Sequence, residues 1–233
     1  MLLALAGAPG ALKTLELFAG TQSITKGLKR DNPNHTMVTV DLLSKFDPTH
    51  VCDIMRMNYK AMWPPYSFDF IWASPVCTYF SKAHTREESN YIDLLLGSIE
   101  MVEKTIEMIQ YLLKPDGVYI IENVGTGLLV DLMPGLWMHR DPADPPPIFV
   151  DYCSYGAKYR KRTVLWSNVE LDLKQCQVAR CASTVFNQKT RRWKHTSSCG
   201  NGRYTDLPSL WQKNAIPAPL VDEIIRQVTI KLR

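Results

Sequence analysis

The chain has 233 residues and a formal net charge of +4, with 45% hydrophobic and 21% charged residues. That balance supports a packed core and excludes both a disordered chain and a small disulfide-stapled scaffold. The mild basicity suits a polyanionic partner without requiring one, and no stretch approaches the roughly 20 apolar residues that cross a bilayer.

Residues 1–11 are apolar but lack a positively charged leading region, and they read as a tail before the first strand. LKTLELF (12–18) alternates apolar and polar residues and runs into FAG, a strand ending in a turn. SITKGLKR (23–30) suits a short helix, and TMVTVD (36–41) is a β-branched strand that closes on an acid. THVCDIM (49–55) is a weaker strand with Asp53 near its end. SFDFIWA (67–73) is a strand that feeds SPVC. Residues 91–113 carry apolar side chains at helical spacing, KPDG is a turn, and VYIIEN (118–123) is a continuous apolar strand. A proline-rich surface loop over 131–150 follows, then two strand-like runs around a basic turn. Residues 172–205 show little periodicity, and PLVDEIIRQVTIKL closes the chain as a helix.

Strands alternating with helices predict an α/β fold with a parallel sheet covered on both faces. Ligands of such sheets sit at the carboxyl ends of the strands. Here those ends carry Phe18-Ala19-Gly20, Asp41, Asp53, Ser74-Pro75-Val76-Cys77 and Glu122-Asn123. Polar and reactive groups therefore converge on one rim. Asp41 follows the glycine turn by about 20 residues, the spacing at which an acid binds ribose hydroxyls in dinucleotide sites. A free cysteine is usually a buried small hydrophobe, but Cys77 shares its rim with Glu122 and the basic run Arg160-Lys161-Arg162.

LELFAGTQSITKGLK, SPVCTYFS, IENV, the basic run 160–162 and NAIPAPLVDEI occur in that order. Together they resemble the cytosine-C5 DNA methyltransferase family, in the compact form found in some phages and large DNA viruses. The resemblance covers most of 12–168 and then 207–231. It implies a Rossmann-like S-adenosylmethionine-dependent sheet with helices on both faces. It also implies methyl transfer from S-adenosyl-L-methionine to C5 of cytosine, leaving S-adenosyl-L-homocysteine. Cys77 is then the nucleophile that adds to C6, Glu122 the acid at cytosine N3, and Arg162, with Arg160, the cation at O2. Asn123 braces the loop. For the cofactor the resemblance implies Phe18 against adenine, with Ala19, Gly20 and Thr21 near the methionine portion. Asp41 and Leu42 serve the ribose, Asp53 and Ile54 the adenine edge, and Pro75, Asn214 and Ala215 lie close by. Three departures stand out. Gln22 occupies the place of a second glycine, Val76 intervenes between Pro75 and Cys77, and Lys158 stands where glutamine is common.

These readings divide the chain into a tail (1–11), a catalytic domain (12–168), a much reduced target-recognition segment (169–206) and a returning C-terminal motif and helix (207–233). The partner is double-stranded DNA, the target base is flipped out, and a monomer inside the cell, in cytoplasm or a eukaryotic nucleus, is expected. Lys158, Arg160, Lys161, Lys189, Arg191, Arg192 and Lys194 are candidate phosphate contacts, and Tyr159 and Trp193 candidate stacking groups. His84 reads as a solvated loop histidine. Cys176, Cys181, His195 and Cys199 fall at C-x4-C-x13-H-x3-C, looser than usual zinc patterns, and no metal is assigned. The rival readings are the same chemistry on RNA, transfer to an exocyclic amine, and a silent binder. SPVC lacks the acceptor groups that an amine methyltransferase needs, and a binder has no need of the Cys77, Glu122, Arg162 set.

Overall fold

The computed structural model describes residues 10–81, 89–136, 144–196 and 214–233. Its main sheet has seven strands: β1 (Lys13–Leu17), β2 (Thr36–Asp41), β3 (His50–Val51), β4 (Phe68–Ala73), β5 (Leu113–Val124), β6 (Ile148–Asp151) and β7 (Arg162–Ser167). They lie in the order β3-β2-β1-β4-β5-β7-β6. The first five are parallel, and β7 runs antiparallel to both β5 and β6. Strand order reverses between β1 and β4, so the crevice above their carboxyl ends is where such a sheet holds ligands.

Period-two alternation sends neighbouring side chains to opposite faces. Phe70, Trp72, Val118 and Ile120 pack on one face with helices α1 (Ser23–Asp31) and the C-terminal helix, numbered α5 below. Ile71, Ala73, Tyr119 and Ile121 pack on the other with α3 (Tyr91–Leu112) and α4 (Leu129–Leu136). A short helix, α2 (Tyr59–Met62), carries the buried Tyr59 into that second face. Each fully buried large apolar side chain contributes about 1.5–3 kcal/mol, so the double-sided pattern is the main source of stability. The closing helix α5 (Ala218–Lys231) lies directly against α1. A methyl group at Gly27 would overlap Val221 and Ile225, so the absence of a side chain there sets the distance between the two helices.

Five expectations change. The strand expected over 49–55 is only His50–Val51, and Ile54–Arg56 forms a 3-10 turn capped by the Asp53 side chain. KPDG is not a separate turn but a bulge inside β5: Phe68 pairs with Leu113 and Phe70 with Val118, so the extra residues loop out while the ladder resumes. The first part of the expected proline-rich loop is α4, with Pro134 near its end. Residues 172–205 contain a hairpin, β8 (Thr184–Asn187) and β9 (Arg192–His195), which its polar composition hid. The start of the presumed recognition segment also belongs to the core, since Val169, Leu171 and Leu173 are buried against the α5 face.

Candidate active site

The loop after β1 is built on backbone turns. Phe18, Gly20 and Gln22 all have left-handed φ values of 57°, 46° and 56°. Glycine adopts that conformation freely, whereas another residue gives up roughly 1–2 kcal/mol. The left-handed Gln22 explains why a glycine is the expected residue there. Its Nε2 donates to the carbonyls of Phe46 (2.6 Å) and Asp47 (2.9 Å), which offsets the strain and ties the first loop to the loop after β2.

Asp41 ends β2 and accepts from the Gly20 amide at 2.7 Å and the Leu43 amide at 2.8 Å. One N–H per oxygen leaves lone pairs for further donors. Beneath the same loop, Glu16 is 5% exposed and accepts from the amides of Ile24 (3.3 Å) and Thr25 (2.9 Å) in the first turn of α1. Burial raises its pKa from an ordinary 4.5 to about 7, against the lowering effect of those hydrogen bonds and of Lys26. The folded chain therefore keeps this proton to higher pH than the unfolded chain does. The stability it contributes is whole below about pH 4.5 and is lost as pH rises through about 7, on the order of 3 kcal/mol in all. Unfolding titrations of Glu16→Gln beside the native chain should lose this part of the decline between pH 4.5 and 7; an unchanged pH slope would refute the assignment.

β4 delivers the Ser74–Cys77 loop. Trp72 Nε1 donates to Ser74 Oγ (2.8 Å), and Asn123 Nδ2 donates to the Pro75 carbonyl (3.0 Å), so the ends of β4 and β5 are pinned together. Past Cys77 the chain turns, with the Phe80 and Ser81 amides donating to the Cys77 carbonyl (3.2 and 3.0 Å). Phe80 is fully buried, and its carbonyl accepts from the Leu128 amide (2.8 Å), which couples this turn to the loop after β5.

These loops enclose a cavity of about 360 Å³. Phe18, Ala19, Gly20, Thr21, Asp41 and Leu42 line it, together with Pro75, Cys77, Glu122 and Asn214. Of the expected cofactor residues, Asp53, Ile54 and Ala215 are not among the described lining residues. Asp53 caps the turn that follows it, accepting from Met55, and Ile54 is core. His84 lies outside the described residues.

Glu122 is 8% exposed. Tyr152 OH donates to its Oε1 at 3.4 Å, and Lys161 Nζ lies 3.7 Å from the same oxygen. Burial pushes the Tyr152 phenol up, so it stays a donor. Lys161 also lies over the Tyr152 ring at 5.0 Å and lines the cavity. The two flanking arginines do not line it among the described residues. Arg160 Nε binds Asp151 Oδ1 at 2.8 Å. Arg162 NH1 sits 3.6 Å from Asp151 Oδ2, with its guanidinium over the Phe149 ring. Sequence reasoning named Lys161 only as a phosphate contact and overlooked Glu16, Phe46 and Trp72 as lining residues. The acid of ELFAG was the one available signal for Glu16. Tyr159 is 5% exposed and packed in the core, which removes it as a stacking group, whereas Trp193 is half exposed, as a stacking side chain must be.

No family model matches the chain. The solved structure of the Entamoeba histolytica methyltransferase EhMeth superposes with a TM-score of 0.55 at 13% identity, covering 96% of this chain and 99% of that one. The fold is therefore a methyltransferase fold. A curated relative, the probable DNA (cytosine-5)-methyltransferase of Frog virus 3 (isolate Goorha), is 31% identical over 228 residues, 92% of this chain and 99% of the relative. With the ordered motifs and the rim they build, that extent of likeness shows that the chain belongs to the DNA (cytosine-5)-methyltransferase family.

Proposed function

We propose that this protein transfers a methyl group from S-adenosyl-L-methionine to C5 of cytosine in double-stranded DNA, through a covalent Cys77–C6 adduct on a flipped-out base. The observation that carries this reading is that Cys77 and Glu122 line one cavity with the Phe18–Thr21 loop and Asp41, at the switch point of the sheet.

The residues fit the cofactor. The cavity volume lies within the roughly 300–1,000 Å³ range of small-molecule sites. Phe18, Leu42 and Pro75 offer apolar surface for a purine, and Asp41 keeps acceptor capacity for ribose hydroxyls. When bound, S-adenosylmethionine supplies an electrophilic sulfonium methyl. Cytosine C5 is too weak a nucleophile to take it unaided. The Cys77 thiolate adds to C6 and the C5–C6 π electrons become available at C5, which would take the methyl carbon as its bond to the sulfonium sulfur breaks and S-adenosylhomocysteine leaves. A base then removes the C5 proton, and the sulfur–C6 bond breaks as the double bond returns. Glu122 serves as the general acid at N3, which draws electron density out of the ring during addition. Lys161 stands beside Glu122 and stabilises negative charge developing on the ring. Arg160 and Arg162 complete the cationic rim through Asp151, with Arg162 facing O2 once the base is in place.

Residues 176–196 stand off the core with Lys189, Arg191, Arg192, Lys194 and Trp193 exposed, and we assign them to the flanking DNA. So small a segment reads a short or degenerate target, since few side chains reach base edges. A DNA substrate places the work inside a cell. No helix among the described residues is long and apolar enough to cross a membrane.

The test is methyl transfer from labelled S-adenosylmethionine to DNA carrying 5-fluorocytosine, whose C5 fluorine cannot leave as a proton does. A labelled covalent protein–DNA adduct supports the reading. Label entering RNA but not DNA overturns the substrate, and label in DNA without an adduct overturns the covalent route.

A further inference from the structure

Away from the catalytic cavity, the chain gathers its remaining soft ligands at one point. The Sγ atoms of Cys153, Cys176 and Cys181 and a ring nitrogen of His195 all lie within 4.8 Å of one another. His195 Nε2 is 3.4 Å from Cys153 Sγ and 3.3 Å from Cys176 Sγ. The four come from separate pieces of chain. Cys153 sits in the 3-10 turn Tyr152–Tyr155 that follows β6. Cys176 precedes the 3-10 turn Val178–Arg180, Cys181 caps it, and His195 ends β9. All three cysteines are free thiols.

We propose that Cys153, Cys176, Cys181 and His195 form a structural zinc site that fastens the β8–β9 hairpin to the turn after β6. Tetrahedral zinc with thiolate bonds of about 2.3 Å and an imidazole bond of about 2.0 Å has edges of roughly 3.8 Å between sulfurs and 3.5 Å between sulfur and nitrogen. The two sulfur–nitrogen spacings, 3.4 and 3.3 Å, match that edge, and no two of the four ligand atoms are more than 4.8 Å apart. Three thiolates and an imidazole select a soft or borderline metal over magnesium or calcium. Four protein ligands close the coordination sphere, which marks a structural site and leaves no open position for catalysis. Three thiolates leave zinc with one excess negative charge. Arg160, close enough to feel the charge of Cys153 and Cys176, lies where it offsets that excess.

The hairpin has a physical need for such a clasp. Val185, Phe186 and Trp193 are 45%, 47% and 45% exposed, so its faces bury little, and a lone two-stranded ribbon is marginal in water. Phe186 and Trp193 meet edge to face at 5.5 Å but have half their surface in solvent. A metal replaces the core that so short a segment cannot build. It also links the hairpin to the chemistry, because Cys153 follows Tyr152, whose hydroxyl donates to Glu122. The candidate set read from spacing, to which no metal was assigned, had Cys199 as its fourth member. That residue lies outside the described residues, and the site is complete with Cys153.

The experiment uses the full chain, purified without chelator and without metal-affinity resin, and measures zinc by mass spectrometry. We expect one zinc per chain, falling to background in Cys153→Ser and in the double variant Cys176→Ser/Cys181→Ser, and retained in Cys199→Ser and Cys52→Ser. Cobalt(II) reads the unaltered chain, so the result does not depend on a variant folding. Intense visible ligand-field bands with a near-ultraviolet sulfur-to-cobalt band report tetrahedral thiolate coordination. Chelation should also raise amide exchange across Thr184–His195 several-fold. A full chain that takes up neither zinc nor cobalt overturns the site. Zinc that survives the double variant, or that leaves with Cys199→Ser and stays with Cys153→Ser, overturns the ligand set. Unchanged hairpin exchange on metal removal overturns the fastening role.

Discussion

Cys77→Ala should bind S-adenosylmethionine as the native chain does and transfer no measurable methyl group to DNA. The expected loss is on the order of 10⁶ in kcat, the size found when the nucleophile of a covalent enzyme is removed. Without sulfur at C6, C5 remains part of an aromatic ring and has no electron pair to offer, and no other described thiol lines the cavity. The cost to folding is small, because Cys77 is only half-buried and sits in a loop whose bonds run through backbone carbonyls. Cofactor affinity by calorimetry and single-turnover transfer from labelled cofactor separate the two effects. Transfer at more than a trace of the native rate would remove Cys77 from the mechanism, and lost cofactor binding would make its role structural.

Glu122→Gln carries the second largest effect. Glutamine preserves the shape and can still accept from Tyr152 OH, whose bond to Oε1 is 3.4 Å. It cannot give up a proton to N3 as the ring takes on charge. General acid catalysis contributes about 10²–10⁴ in rate, and kcat should fall by that factor while the cofactor dissociation constant holds. The substitution also leaves Lys161, with a side chain only 10% exposed, without its carboxylate. Losing the carboxylate beside a buried cation costs stability, so a lower melting temperature should accompany the slower rate. A variant that keeps its rate and only melts earlier would reduce Glu122 to a partner for Lys161.

Much of the site was legible because strand ends are set locally. β-Branched and apolar runs stop where polar residues begin, and in a parallel sheet those stops share one edge. That is why Asp41, Cys77 and Glu122 could be placed on one rim from their positions in the chain, and why the FAG turn could be assigned to a ligand. The hairpin was missed for the converse reason. Val185, Phe186 and Trp193 face solvent, so no buried stripe imposes a pattern on its residues. Asp53 and Ile54 were given to the adenine edge by the family resemblance alone. The ladder with β2 ends at Val51, and a capped turn carries Ile54 into the core.

The sequence alone determined the succession of the main-sheet strands with α1, α3 and α5, and the chemical groups carried to the rim, since each follows from local periodicity and turn chemistry. The tertiary structure decided which of three consecutive cations meets the acid. Residues along an extended segment leave the backbone alternately. The pairing of Asp151 with Arg162 across β6 and β7 leaves both arginines with Asp151 and Lys161 with Glu122. It also decided that Cys153, distant along the chain from Cys176, Cys181 and His195, joins them. Only the packing of the hairpin against the turn after β6 brings those side chains together, and no local spacing encodes that contact.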